Sequence, residues 1–198
     1  MRKLKLQVQI SLDGFIAGNN GELDWMEFNW DNELKLYIEK LTKPVDCIIL
    51  GRKLAEGFIP HWANIAAEHE HPEHEAGKKF TDTHKVVFSK SLNHTVPAAY
   101  GWENTVMANG YLIDEIKKLK EQDGGDIIVY GGAGFVSSLI KAGLIDEYHL
   151  LVNPSAIGNG LPIFREIEKS LKLKLVESNA FSCGIIVLKY VPDVSHTD

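Results

Sequence analysis

The chain has 198 residues, 44% of them hydrophobic and 24% charged, with two cysteines and a formal net charge of -6. That length supports a single domain with a sizeable core, and the acidic balance argues against nucleic acid or an anionic membrane as the main partner. Cys47 inside an apolar run and Cys183 in a turn give neither a disulfide framework nor a zinc pattern, and no apolar run reaches transmembrane length, so a cytoplasmic protein is expected.

Leu4, Leu6, Val8 and Ile10 alternate with Lys5, Gln7, Gln9 and Ser11, the period-two pattern of a strand with one face buried. Asp13-Gly14 and the run Gly18-Asn19-Asn20-Gly21 mark turns and a polar loop that ends at Trp25, Phe28 and Trp30. A helix is predicted from near Asp31, with Leu34, Ile38 and Leu41 at helical spacing and Pro44 beyond its end. Val45 to Leu50 reads as a strand covered on both faces, closed by Gly51-Arg52. Lys53 to Phe58 predicts a short helix that Pro60 stops, and the polar stretch from His61 to Phe80 reads as a surface excursion. Within it, His69, His71 and His74 have the ligand chemistry for zinc or nickel. The spacing is not HExxH, Pro72 breaks any helix that would align them, and their acidic neighbours favour a solvated loop, so no metal is expected.

Lys85 to Ser89 and Thr105 to Ala108 predict two more strands around a loop with Pro97, and Leu112, Ile116 and Leu119 outline an amphipathic helix ending at Gly124-Gly125. The apolar run Ile127 to Tyr130 then meets Gly131, Gly132, Ala133 and Gly134, and Phe135, Leu139 and Ile140 carry an amphipathic segment to Gly143. This is strand, tight turn and helix. Glycines at such a junction let the chain turn sharply and let an anion approach the N–H groups of the helix start, although plain turn chemistry explains them as well. Tyr148 to Val152 is a further strand, Leu171 to Glu177 and Gly184 to Val191 form a terminal hairpin, and His196 to Asp198 read as a disordered tail. About eight strands and four helices, alternating early and ending in a hairpin, predict an α/β sandwich with a mainly parallel sheet and an antiparallel edge.

The order of SLDGFIAG (11–18), LGRKLAEGF (50–58), VVFSKSL (86–92), DIIVYGGAGF (126–135), GLIDEYHLLVNP (143–154) and GNGLPIF (158–164) resembles the dihydrofolate reductase superfamily. The likeness is closer to its branch containing the reductase domain of riboflavin biosynthesis. It implies a three-layer sandwich around an eight-stranded, mostly parallel sheet, with NADPH lying across the carboxyl ends of the strands. By this resemblance Gly51, Arg52 and Lys53 contact phosphate, Ser89 and Lys90 meet the ribose 2′-phosphate, and Gly131, Gly132, Ala133 and Gly134 meet the pyrophosphate with Phe135 beneath. Ile16 and Ala17, with the loop to Trp25, match the mobile lid over nicotinamide. Arg52 otherwise reads as a surface arginine, and Ser89-Lys90 as a polar strand cap.

The resemblance also places Asp31 where dihydrofolate reductases keep a carboxyl group near substrate, so Asp31 is either a proton relay or a helix cap. Tyr130, where the riboflavin reductases carry an acid, is a catalytic hydrogen-bond donor or a space filler. Asp13, Trp25 and Phe58 are candidate substrate contacts, and Trp25, Trp30, Phe58 and Trp62 form either an apolar substrate wall or plain core. Neither Arg2 nor Arg165 matches the arginine that holds the folate tail, so folate is not the expected substrate. The implied activity is an NADPH-dependent reduction of a small heterocycle, pterin-like or resembling 5-amino-6-(5-phosphoribosylamino)uracil. A module that holds the nucleotide without turnover is the alternative. A homodimer is expected, with the apolar terminal strands as its edge or face.

Overall fold

The computed structural model describes residues 1–91, 96–193 and 195; Leu92 at the end of the third motif and the tail from His196 to Asp198 lie outside the described residues. In chain order the elements are β1 (Leu4–Ile10), α1 (Asn32–Thr42), β2 (Val45–Gly51), α2 (Arg52–Ala67), α3 (His74–Asp82), β3 (His84–Phe88) and α4 (Val96–Ala99). They continue with β4 (Thr105–Met107), α5 (Leu112–Glu121), β5 (Asp126–Val129), α6 (Ala133–Lys141), β6 (Glu147–Val152), β7 (Leu173–Ala180) and β8 (Ile186–Pro192). The eight strands make one sheet in the order β4-β3-β2-β5-β1-β6-β8-β7. All pairs from β4 to β6 are parallel, β8 runs antiparallel to β6, and β7 closes the edge as the outer strand of the hairpin.

Leu4, Leu6, Val8 and Ile10 pack with Ile116 and Leu119 of α5 and with Val136, Leu139 and Ile140 of α6, which makes one layer. On the opposite face, Ala55 and Ile59 of α2 cover β2 and β3, while Leu34 of α1 covers Leu151 and Val187. The three-layer α/β sandwich follows from these two apolar faces. Among the described residues no helix is long and apolar enough to cross a membrane.

The structure departs from the sequence expectation at three places. First, β1 is buried on both faces, so the polar residues Lys5 and Gln7 lie inside with Leu4 and Leu6. Alternation marks two unlike faces but says nothing about whether a central strand turns its polar one to water. Second, α2 runs through Pro60 to Ala67 instead of stopping there. Pro60 sits at an exposed position of the helix, so the hydrogen bond its missing N–H forfeits faces water and not the core. Third, the helix count rises to six among the described residues, through the short α4 around Pro97, where a loop was expected, and through residues 61–80, which form the second half of α2 and most of α3. Only the turn between these helices is a surface excursion. The two helices meet at Gly77, where a Cβ would come within 2.8 Å of Ile65 Cγ2.

Lys85, the second residue of β3, is buried, and its ammonium donates to the carbonyl oxygens of Phe80 (3.0 Å), Thr81 (2.7 Å) and Thr83 (2.7 Å) at the end of α3. A cation there answers the carbonyls that a helix terminus leaves unpaired. Burial lowers its pKa to about 8.

Candidate functional site

The carboxyl ends of β2, β3 and β5 meet at one edge of the sheet. Gly51 caps α2 without a side-chain hydrogen bond, and a Cβ on it would come within 3.0 Å of Phe135 Cβ at the start of α6. Phe135 and Phe88 lie with ring centroids 5.2 Å apart, which brings the end of β3 to the same place. Gly131 and Gly132 hold φ of 152° and 83°, values that a side chain would strain. The first helical bond of α6 runs from Val136 N–H to Gly132 O at 2.9 Å, and no side chain caps this end. The N–H groups of Ala133, Gly134 and Phe135 are therefore free of intrahelical partners and aim out of the helix start.

Two uncapped helix starts lie side by side here, with open backbone over Gly131 and Gly132, and such an edge suits a diphosphate. Arg52 opens α2 and pairs with Glu56 one turn on at 2.8 Å, leaving its guanidinium half-exposed beside the exposed Lys53. The Ser89 hydroxyl accepts the Ser91 N–H at 3.1 Å, and Lys90 is exposed next to it. Arg165 also lies beside this turn, a position that sequence reasoning missed. Its guanidinium lies 3.8 Å from where a Cβ on Gly134 would stand, at the start of α6. The one available signal was its position directly after the GNGLPIF motif, which packs near that turn.

The segment after β1 is clasped. The Asp13 carboxylate accepts from Ser11 Oγ (2.6 Å), Ile157 N–H (3.2 Å) and Gly158 N–H (2.7 Å). Those bonds, led by the one from Ser11, lower its pKa. Ile16 N–H donates to Leu161 O at 3.0 Å and Leu161 N–H to Ala17 O at 2.8 Å, and both Ile16 and Ala17 are buried. In this structure Asp13 fastens a loop, and Ile16 and Ala17 are held in a short ladder at the root of the loop to Trp25.

The aromatic residues divide among three places. Phe58 stacks on Tyr130 at 5.4 Å, and Phe80 and Trp62 join them edge-on or tilted. Burial raises the Tyr130 pKa, so its hydroxyl keeps its proton at neutral pH. Trp30 packs instead in the cluster beneath α1, with its Nε1–H donating to Glu27 O at 2.9 Å. Trp25 Nε1–H donates to Glu22 O at 3.3 Å within its own loop. The four aromatics thus do not form one wall.

Asp31 caps α1. Its carboxylate accepts from Leu34 N–H (2.8 Å), Ser182 Oγ (2.8 Å) and Cys183 N–H (3.0 Å), which ties the helix to the turn between β7 and β8. The bond from Leu34 leads in lowering its pKa from 3.8 to about 2, with Ser182 next. The support it gives the fold is complete above pH 4 and is lost as pH falls toward 2, because the unfolded chain takes up the proton first. Asp31→Asn keeps an acceptor and is expected to leave turnover within about threefold of wild type, whereas removal of a true general acid costs roughly 100-fold or more. A steady-state rate in the second range would return Asp31 to the chemistry.

A second polar group lies away from these strand ends. Glu147 accepts from Lys3 (2.7 Å), Lys189 (3.3 Å) and His149 Nε2 (3.3 Å), and the Tyr37 hydroxyl lies 2.9 Å from His149 Nδ1. Since a carboxylate only accepts, Nε2 carries a proton toward Glu147. His149 first, then Lys3 and Lys189, hold the Glu147 carboxyl far below the ordinary range. The group walls a cavity of about 550 Å³ between α1 and the hairpin.

Comparison with known proteins agrees with this architecture. The RibD C-terminal domain family model matches residues 2–187. YyaP of Bacillus subtilis, an uncharacterized protein, is 32% identical over 191 residues, covering 96% of this chain and 94% of its own. The deaminase/5-amino-6-(5-phosphoribosylamino)uracil reductase of Thermotoga maritima superposes with a TM-score of 0.66 at 16% identity, over 97% of this chain and 57% of that one. A dihydrofolate reductase from Enterococcus faecalis in complex with NADP(H) superposes with a TM-score of 0.59 at 18% identity, over 96% of both chains.

Proposed function

Because the chain belongs to the RibD C-terminal domain family, we propose that it is an NADPH-dependent reductase of a small heterocycle, pterin-like or close to the uracil precursors of riboflavin. The observation that carries this reading is the uncapped glycine turn at the start of α6 beside Gly51 and Arg52. In this account Gly131, Gly132, Ala133 and Gly134, with Arg165, hold the pyrophosphate, while Arg52, Lys53, Ser89 and Lys90 take the ribose 2′-phosphate. Arg52 exchanges its surface pair with Glu56 for the phosphate, an exchange that costs little because exposed pairs contribute little. Bound NADPH supplies a hydride.

The protein's own part is to position and to polarise. Ile16 and Ala17, fixed by their ladder to Leu161, fit the nicotinamide side of the site, and Asp13 keeps that ladder in place. Trp25 and Phe58 flank the substrate, and the protonated Tyr130 hydroxyl donates to it. Asp31 stays ionised at neutral pH and holds α1 to the β7–β8 turn as a helix cap. That engagement also favours the second reading, a module that binds NADPH without turnover, since no protonated carboxylic acid is assigned to the site. NADPH oxidation across pterins and pyrimidinediones separates the two. Turnover of any of them supports the reductase, and NADPH binding with no turnover across the panel supports the binder.

The second copy implied by the resemblance belongs on β7. This outer strand leaves Leu175 and Val176 about half-exposed along an unpaired edge, a surface that proteins usually cover. Light scattering is expected to give the mass of two chains. The mass of one chain would refute the dimer.

A further inference from the structure

β1 carries a buried polar strip whose middle member has a side-chain oxygen with no hydrogen-bond partner among the described residues. Lys5, Gln7 and Gln9 share the face that carries α1 and α2. Lys5 pairs with Asp126 at 2.7 Å and reaches Leu41 O at 3.4 Å. Gln9 Oε1 accepts from Asn153 Nδ2 at 3.1 Å, and Asn153 Oδ1 accepts the Glu27 N–H at 2.7 Å. Gln7 lies between them at 8% exposure, and its Oε1 is sealed from solvent without a hydrogen bond among the described residues. A buried acceptor left unpaired is costly and calls for an explanation.

The surroundings supply one. The apolar cluster under α2 draws on β2 to β5, the cluster under α1 draws on β6 and β8, and neither contains a residue of β1. Gln7 therefore floors the seam between the two helices. It stands level with His149 on one side. On the other, Leu6 pairs with Val129, the residue before Tyr130. The strip leads through the half-buried Gln9 toward the carboxyl ends of the strands, so the inference rests on the reductase reading of that edge.

We propose that Gln7 reads the lactam edge of a planar heterocycle seated in this seam. A carboxamide and a cyclic –NH–C(=O)– unit are complementary: the Gln7 oxygen accepts the ring N–H, and its amide N–H donates to the adjacent ring carbonyl. A site built for that pair rejects a ring whose N–H is blocked, because the blocked ring leaves the buried carboxamide unpaired again.

Lumazine, a fluorescent pteridine-2,4-dione, presents such edges at N1 and N3, and 1,3-dimethyllumazine has both ring N–H groups blocked. With NADPH present, wild-type protein is expected to bind lumazine saturably and 1,3-dimethyllumazine at least about 10-fold more weakly. Gln7→Leu is expected to lose lumazine affinity by roughly 10- to 100-fold, to keep NADPH affinity, and to melt at the same temperature or higher once the orphan acceptor is gone. Lumazine binding equal to wild type in Gln7→Leu overturns the proposal, and so does a lower melting temperature, which would make Gln7 a structural residue. If NADPH saturates the wild type but lumazine does not, this inference alone falls. If NADPH itself does not saturate, the reductase reading falls.

Discussion

Gly132→Val is expected to weaken NADPH binding by at least about 100-fold, equivalent to about 2.7 kcal/mol, while the chain stays folded. Gly132 holds a φ of 83°, which a β-branched residue reaches only under strain. Relief of that strain rotates the turn, and with it the N–H groups of Ala133, Gly134 and Phe135 that the account assigns to the pyrophosphate. A valine side chain also stands where the nucleotide backbone would approach. The helix itself is secured elsewhere, by Val136, Leu139 and Ile140 in the core. Fluorescence titration with NADPH measures the loss, and a melting curve within a few degrees of wild type shows that the fold survives. Wild-type affinity in this variant would remove the glycine turn from the cofactor site.

Gly160→Ala is expected to destabilise the protein by about 3 kcal/mol, at the upper end of overpacking costs, and to lower turnover with it. A Cβ at Gly160 would overlap the Ala17 carbonyl oxygen and lie 3.0 Å from both Ile157 Cδ1 and Phe15 Cβ. The carbonyl belongs to the ladder between Ala17 and Leu161, so it cannot yield without opening the clasp that holds Ile16 and Ala17. Gly158, two residues earlier, is the contrast. Its φ is 74° and nothing lies within 4 Å of its missing side chain, so Gly158→Ala costs only backbone strain, about 1 kcal/mol. Urea unfolding of both variants measures the difference. A Gly158→Ala cost equal to or above that of Gly160→Ala would contradict a space requirement at Gly160.

Much of this site is legible in the chain because strand ends and glycine turns leave local signals. Gly51-Arg52 and the Gly131 to Gly134 turn follow apolar runs, and the fold brings those runs together at one edge through β2 and β5, which are sheet neighbours. Side-chain assignments that depend on long-range packing are not legible in the same way. Trp25, Trp30, Phe58 and Trp62 look alike as aromatics in sequence. Only the placement of α1 over β6 and β8, and of α2 over β2 and β3, separates Trp30 from Phe58.

The polar residues of β1 show the same limit from the other side. Lys5 and Gln7 alternate with leucines as exposed residues do, yet the strand lies fifth of eight in the sheet with helices on both faces. Asp31 was open between two roles because a carboxylate at a helix start satisfies both. Its bonds from Ser182 and Cys183 come from 151 and 152 residues away, and no local pattern announces them. Pro60 misled for a simpler reason: at an exposed position water can take the carbonyl that the missing N–H leaves unpaired, and the packing of α2 on both sides of it carries the helix through.

The most direct test of the account is the intrinsic tryptophan fluorescence of the protein during titration with NADPH and, separately, NADH. The account predicts a saturable change with NADPH at lower concentration than with NADH, because Arg52, Lys53, Ser89 and Lys90 are assigned to the 2′-phosphate that only NADPH carries. A titration with NADPH that stays flat, or that rises in proportion to concentration without saturating, would contradict it.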